Sequence, residues 1–167
     1  MSKNSPVLFS YNFDGEGSSS KVSSEAISKE IENEGLTWAH INAGNKNAAE
    51  WLQKEVGYLD HLIIDALLAL ETRPRVMEFP KGLLIILRAV NLNKNAEPQD
   101  MVSLRMWIDD KRIITLQRRD VKAVYEITET LLAYLLQRVS GSMRIFRPRV
   151  MISVPYGVTS VERRAVY

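Results

Sequence analysis

Five consecutive apolar residues, Leu83 to Leu87, are closed off by Arg88. A run of that kind has to be buried, and its length limits how. A membrane-spanning helix needs about 20 apolar residues, so the chain as written is expected not to cross a bilayer. Read as part of a strand, Leu83 to Asn91, the run is apolar on both sides. That predicts a central position in a sheet covered on both faces.

The flanking pattern supplies the remaining elements. Val7, Phe9 and Tyr11 alternate with Leu8, Ser10 and Asn12, predicting a first strand. Ser24 precedes EAISKEIENEG, a short amphipathic helix with a Gly35 stop. In LTWAHIN, Leu36, Trp38 and His40 face opposite to Thr37, Ala39 and Ile41, a second strand. Asn47 to Val56 reads as a helix. From Leu59 to Leu70 the apolar residues Leu59, Leu62, Ile63, Ala66, Leu67 and Leu70 form a stripe at helical period, with Asp60 as cap and Pro74 as stop. Strands follow at Arg75 to Phe79, Leu83 to Asn91, Met101 to Ile108 and Arg112 to Arg118, the last pair joined by an Asp109-Asp110-Lys111 turn. A final helix starts at Val121 and runs to about Val139. The expected fold class is α/β (α+β): an α/β/α sandwich whose mixed sheet of five to seven strands has helices on both faces.

Composition excludes several functions. There is no cysteine, so disulfides, thiol nucleophiles and thiolate zinc sites are out, and the two histidines, His40 and His61, cannot make a histidine-rich cage within one chain. The N-terminus has no apolar stretch long enough for a secretory signal. G-x-S-x-G, H-E-x-x-H and a glycine-rich phosphate loop are absent. The expectation is a protein that is not an enzyme and needs no cofactor. Charge is uneven: residues 1–137 hold 16 Lys or Arg against 19 Asp or Glu, whereas 138–167 hold six Arg and one Glu. An acidic body without basic residues interleaved with exposed aromatics argues against nucleic acid as a partner.

The candidate metal ligands are Asp60, His61, Asp65, Asp109 and Asp110. His61 and Asp65 are i, i+4 neighbours able to share a hydrogen bond or an ion. Against this, Asp60 serves as a cap with His61 on the wet side of the helix, and a site within one chain would need three or more ligands. Glu71, Arg73 and Arg75 place a carboxylate and two guanidiniums at a helix exit, suited to subunit contact or to a locally satisfied turn with Arg73 on the helix C-terminus. Arg105 is expected to stack on Trp107 or to bridge to an acid, and Trp107 to lie in the core.

Four stretches carry a resemblance: ALLALETRPR (Ala66 to Arg75), GLLIILRAVNLN (Gly82 to Asn93), PQDMVSLRMW (Pro98 to Trp107) and RIITLQRR (Arg112 to Arg119), with WAHINAGN upstream. They resemble the N-terminal cytoplasmic domain of ZntB-type zinc transporters in the CorA superfamily, over about residues 5–137. The resemblance implies a cytosolic α/β/α domain on the cytoplasmic side of the bacterial inner membrane. It implies five copies forming a funnel and pore, and zinc or another divalent cation as the transported ion. It implies a long helix, two C-terminal membrane helices and a Gly-x-Asn loop beyond the domain. The sequence departs from that pattern after about Val139, where a basic, proline-interrupted stretch, 138–167, stands instead. The expectation is two segments, a CorA/ZntB-like domain at 1–137 and an atypical tail from truncation or a frame shift. The function expected is that of a soluble funnel or regulatory domain lacking the pore helices. The alternative is a free-standing interaction or scaffold protein derived from such a transporter.

Overall fold

The computed structural model describes residues 4–139 other than 15, 17, 24–26, 28–34, 71 and 98. The helix expected after Ser24 therefore lies outside the described residues apart from Ile27, as does the tail from 140 onward.

Seven strands form one sheet: β1 (Val7–Phe13), β2 (Ser19–Lys21), β3 (Leu36–Asn42), β4 (Arg75–Phe79), β5 (Gly82–Val90), β6 (Met101–Ile108) and β7 (Arg112–Gln117). Their spatial order is β2-β1-β3-β7-β6-β5-β4. The β3–β7 pair is parallel and the other neighbours are antiparallel, so the sheet is mixed. Helices α1 (Ala48–Glu55) and α2 (His61–Leu68) lie in the β3-to-β4 connection, and α3 (Lys122–Val139) follows β7. The short β2, for which the sequence pattern predicts no element, pairs on the outer edge of β1.

One face of the sheet packs on α1 and α2 through Ala39, Ile41, Leu52, Val56, Ile63, Leu67, Leu84, Trp107, Ile114 and Leu116, all buried. The other packs on α3 through Phe9, Trp38, Val102, Val121 and Val124. Each core follows from the two-residue alternation of its strands. β1 is the exception. Its register slips between Val7 and Phe9, Val7 pairing with Ile41 and Phe9 with His40. That bulge puts Val7 in the first core and Phe9 in the second, where uninterrupted alternation places them together.

Two expectations about burial are corrected. β5 is next to the sheet edge rather than central. Leu84 and Ile86 are buried, but Leu87 on the opposite face is 44% exposed, because no helix among the described residues covers that face over β5. The stripe of α2 is also narrower than its sequence. Ile63, Ile64 and Leu67 are buried, whereas Leu62 and Leu70 are exposed at 64% and 79%. The helix ends at Leu68, with Ala69 already extended at φ −49°, ψ 140°, so Leu70 lies beyond it.

The β4–β5 hairpin requires a glycine. A Cβ on Gly82 would lie 2.3 Å from the Ile108 carbonyl oxygen and 2.8 Å from the Trp107 ring. Only an absent side chain lets the hairpin approach the end of β6 so closely.

Candidate functional site

The acidic candidates gather at one end of the sheet without converging. Asp60 caps α2, its Oδ1 accepting from the Leu62 N–H at 2.8 Å. The same oxygen lies 3.2 Å from His61 Nδ1, with both side chains more than half exposed. His61 and Asp65 help line a shallow open depression of about 250 Å³, together with Gln53, Gly57, Leu59 and Ile64. Asp109 and Asp110 form the β6–β7 turn. That turn is tied to the α1–α2 junction by Tyr58, whose hydroxyl donates to Asp109 Oδ2. Among the described residues no three His, Asp or Glu side chains come together in a way that could hold a metal ion.

Asp109 is already engaged. Its Oδ2 also accepts from the Trp107 indole N–H at 3.0 Å, and its Oδ1 accepts from the Lys111 backbone N–H at 3.0 Å. Arg112 stacks 4.3 Å above the Tyr58 ring and donates to the Glu55 carbonyl at 2.9 Å. Burial, and then the bond to Asp109, raise the Tyr58 phenol above its ordinary range. Trp107 is the core residue expected, with its polar edge satisfied by a carboxylate two residues on.

The helix exit is organised differently from the expectation. Arg118 donates to the Leu68 carbonyl at 2.6 Å and Arg105 to the Ala69 carbonyl at 2.7 Å. These two, rather than Arg73, serve the C-terminus of α2. Arg73 and Arg75 are exposed, and Glu71 lies outside the described residues. Arg105 neither stacks on Trp107 nor bridges to an acid among the described residues. Its Nε and Nη1 make no hydrogen bond, and burial followed by the nearby Arg118 charge lowers its pKa.

Beneath α3 lies a polar cluster that the sequence did not reveal. The parallel pairing of β3 with β7 sets His40 opposite Thr115. Thr115 Oγ1 accepts from the Trp38 indole N–H at 3.0 Å and lies 2.7 Å from His40 Nδ1. Gln117 Nε2 donates to Asp120 Oδ1 and to the Tyr125 hydroxyl, each at 3.0 Å, and Gln117 Oε1 accepts from the Val121 N–H. The Tyr125 and Phe9 rings cover the imidazole, 5.9 and 4.9 Å away. Desolvation dominates there and lowers the His40 pKa to about 4, so the ring is neutral at pH 7. The cluster fixes the start of α3 against the sheet, and Asp120 is its one exposed member.

This fold, a mixed sheet between a helix pair and a long exiting helix, is that of the soluble domain of a divalent-cation transporter. The profile of the family described as CorA-like Mg2+ transporter protein matches residues 33–146, more than half of the sequence, and the chain belongs to that family. It is 38% identical over 127 residues to the divalent cation transporter CmaX of Pseudomonas aeruginosa, covering 75% of this chain and 38% of CmaX. It is 34% identical over 125 residues to the zinc transport protein ZntB of Pectobacterium atrosepticum, covering 75% of this chain and 37% of that one. The structure of full-length CmaX superposes with a TM-score of 0.72 at 36% identity, over 81% of this chain and 42% of CmaX. The ZntB cytoplasmic domain from Vibrio parahaemolyticus superposes with a TM-score of 0.65 at 23% identity, covering 83% of this chain and 57% of that domain. The chain thus spans well under half the length of the CmaX and ZntB proteins of Pseudomonas aeruginosa and Pectobacterium atrosepticum. Among the described residues no helix is long and apolar enough to cross a membrane.

Proposed function

We propose that this chain is the cytoplasmic domain of a divalent-cation transporter, acting as funnel and regulatory module at the cytoplasmic side of the inner membrane, with zinc or a similar ion as the cargo. The observation that carries this reading is the superposition on full-length CmaX at 36% identity over 81% of this chain. In the assembled transporter five such domains surround one vestibule. Rings of carboxylates there raise the local cation concentration, because like charges repeated around an axis focus the field. Asp60, Asp65 and Asp110 are exposed and suited to that duty, with His61 beside Asp60 and Asp65. Asp109 shapes the turn that presents Asp110. Arg73 and Arg75, exposed at the start of β4, would supply charge for contact with a neighbouring subunit, with Glu71 between them and α2 in sequence.

The test is a chimera in which residues 4–139 replace the matching portion of CmaX, assayed for zinc uptake by bacteria. The expected result is uptake at a rate comparable to CmaX, slowed several-fold when Asp60, Asp65 and Asp110 are all changed to Asn. A chimera that reaches the membrane in normal amount and moves no divalent cation would overturn the reading.

A further inference from the structure

β4 is the last strand of the sheet, and among the described residues it pairs with β5 alone. Four of its five residues are exposed, Val76 at 65% and Met77 at 42%. The hairpin fixes which backbone groups are free. Pro80 and Lys81 make a two-residue turn between Phe79 and Gly82, so Phe79, Met77 and Arg75 exchange hydrogen bonds with β5. The backbone N–H and C=O groups of Val76 and Glu78 therefore point outward. A free edge of this kind accepts a further strand. The sequence holds one made of the same residues. Arg73-Pro74-Arg75-Val76-Met77, which leads into β4 and makes its first three residues, recurs unbroken as Arg147-Pro148-Arg149-Val150-Met151. Pro-x-Gly follows in both places, at 80–82 and 155–157, and Arg-Ala-Val follows that, at 88–90 and 164–166.

We propose that residues 149–152 of the same chain add to the free edge of β4 as an antiparallel strand. Charge and proline set the register. Arg149 opposite Glu78 pairs unlike charges, and the same alignment sets Val150 against Met77, Met151 against Val76 and Ile152 against Arg75. Arg149 and Met151 then meet the outward backbone groups of Glu78 and Val76. Pro148 falls on the far side of the added strand, where its missing N–H breaks no bond and blunts the new edge. Met151 extends the cross-strand row of Val76, Ile85 and Met106, and Val150 covers Met77. The parallel alignment of the two identical strings would instead oppose Arg149 to Arg75, like charge to like. The connection is long enough for one chain to serve itself. Ten residues lead from Val139, the end of α3, to Arg149 and reach about 33 Å. The three strand spacings from β7 to β4 cover about 14 Å. Pro155 closes the added strand as Pro80 closes β4. Such a strand gives the basic tail a place on the sheet that is independent of any ion the domain serves.

Cross-linking in the full chain tests this, because the chain has no cysteine of its own. Met77→Cys combined with Val150→Cys puts two thiols at a non-hydrogen-bonded pair, with Cα atoms about 4.5 Å apart and within disulfide reach. Mild oxidation with diamide is expected to close that disulfide within one chain, seen as a linked peptide in a digest of the monomer. Met77→Cys combined with Met151→Cys, one residue out of register and on the opposite face, should cross-link at least tenfold more slowly. Amide deuterium exchange gives a second readout that needs no cysteine. Exchange at Val76 and Glu78 should quicken at least tenfold in Arg149→Glu, and adding Glu78→Arg should restore the slow rate. Glu78 is exposed, so its reversal leaves the β4–β5 hairpin intact. No disulfide in the first pair, cross-links only between chains, or exchange indifferent to Arg149→Glu would each overturn the proposal.

Discussion

Arg105 on β6 ends on the carbonyl oxygen of Ala69, 2.7 Å away, and so ties the sheet to the C-terminus of α2. The last carbonyls of a helix lack partners within it and carry partial negative charge. The guanidinium meets that need, but its Nε and Nη1 are left without hydrogen bonds in a site only 2% exposed. Replacing a buried charge by an apolar side chain of similar volume is often neutral, whereas truncation leaves a void. Arg105→Met is therefore expected to stay within about 1 kcal/mol of the parent, while Arg105→Ala loses about 3 kcal/mol. Urea unfolding of both variants checks this. Equal losses would show that the carbonyl bond outweighs the packing.

Tyr58 and Asp109 join the α1–α2 junction to the β6–β7 turn across 51 residues of sequence. Tyr58→Phe removes one of three donors to the carboxylate and keeps the ring under Arg112, so it should cost about 1 kcal/mol. Asp109→Asn puts an NH2 where donors already point, at Lys111 or at Tyr58 and Trp107, and should cost about 2 kcal/mol. Denaturation midpoints measure both. Because Asp109 is engaged by the fold, Asp109→Asn should leave zinc affinity in calorimetry unchanged in a variant that remains folded.

What the sequence made legible was what depends on neighbours along the chain. The α2 stripe, its Asp60 cap, the hairpin turn at Asp109-Asp110-Lys111 and the two faces of β6 follow from periods of 3.6 and 2 together with local hydrogen bonding. What it hid depends on partners far along the chain. Nothing local to Arg105 announces a carbonyl 36 residues away, and nothing near His40 announces Thr115, 75 residues later. The bulge that divides Val7 from Phe9 is likewise a property of the pair with β3, not of the alternating β1 pattern. The run from Leu83 to Leu87 gave the correct demand for burial. It misplaced the strand because one of its faces meets no helix of the described residues over β5. The acidic candidates were legible as residues, but the engagement of Asp109 became visible only when Tyr58 and Trp107 were placed beside it.

Stability should fall in mild acid because of His40. Burial lowers its pKa to about 4 in the folded chain, against 6.5 for an ordinary imidazole. Between those values the unfolded chain binds the proton and the folded chain does not. The contribution is fully present above about pH 6.5 and is lost as pH falls toward 4, amounting to about 3 kcal/mol at most. His40→Leu should flatten this part of the stability profile between pH 7 and about pH 4.5. Urea midpoints measured across that range decide it, and a slope unchanged in the variant would assign the acid sensitivity to other groups.

Gly82→Ala should be among the costliest single-methyl additions in the molecule. The new Cβ would sit 2.3 Å from the Ile108 carbonyl oxygen and 2.8 Å from the Trp107 ring. The first obstacle is backbone of the neighbouring strand and the second is a wholly buried side chain, so neither can yield without separating β5 from β6. A loss of about 2–4 kcal/mol follows, the range of an overpacked core together with a weakened strand pair. Gly44→Ala is the control. Its Cβ would meet the Asn42 side-chain oxygen at 3.1 Å, and that amide can turn aside, though it then gives up its 2.8 Å bond from the Gly44 N–H. About 1 kcal/mol is expected there. Equal midpoints for the two variants would mean that the hairpin opens readily at Gly82. A large gap between them would show that contact between the β4–β5 turn and the end of β6 sets the strand spacing on which the Trp107–Asp109–Tyr58 chain depends.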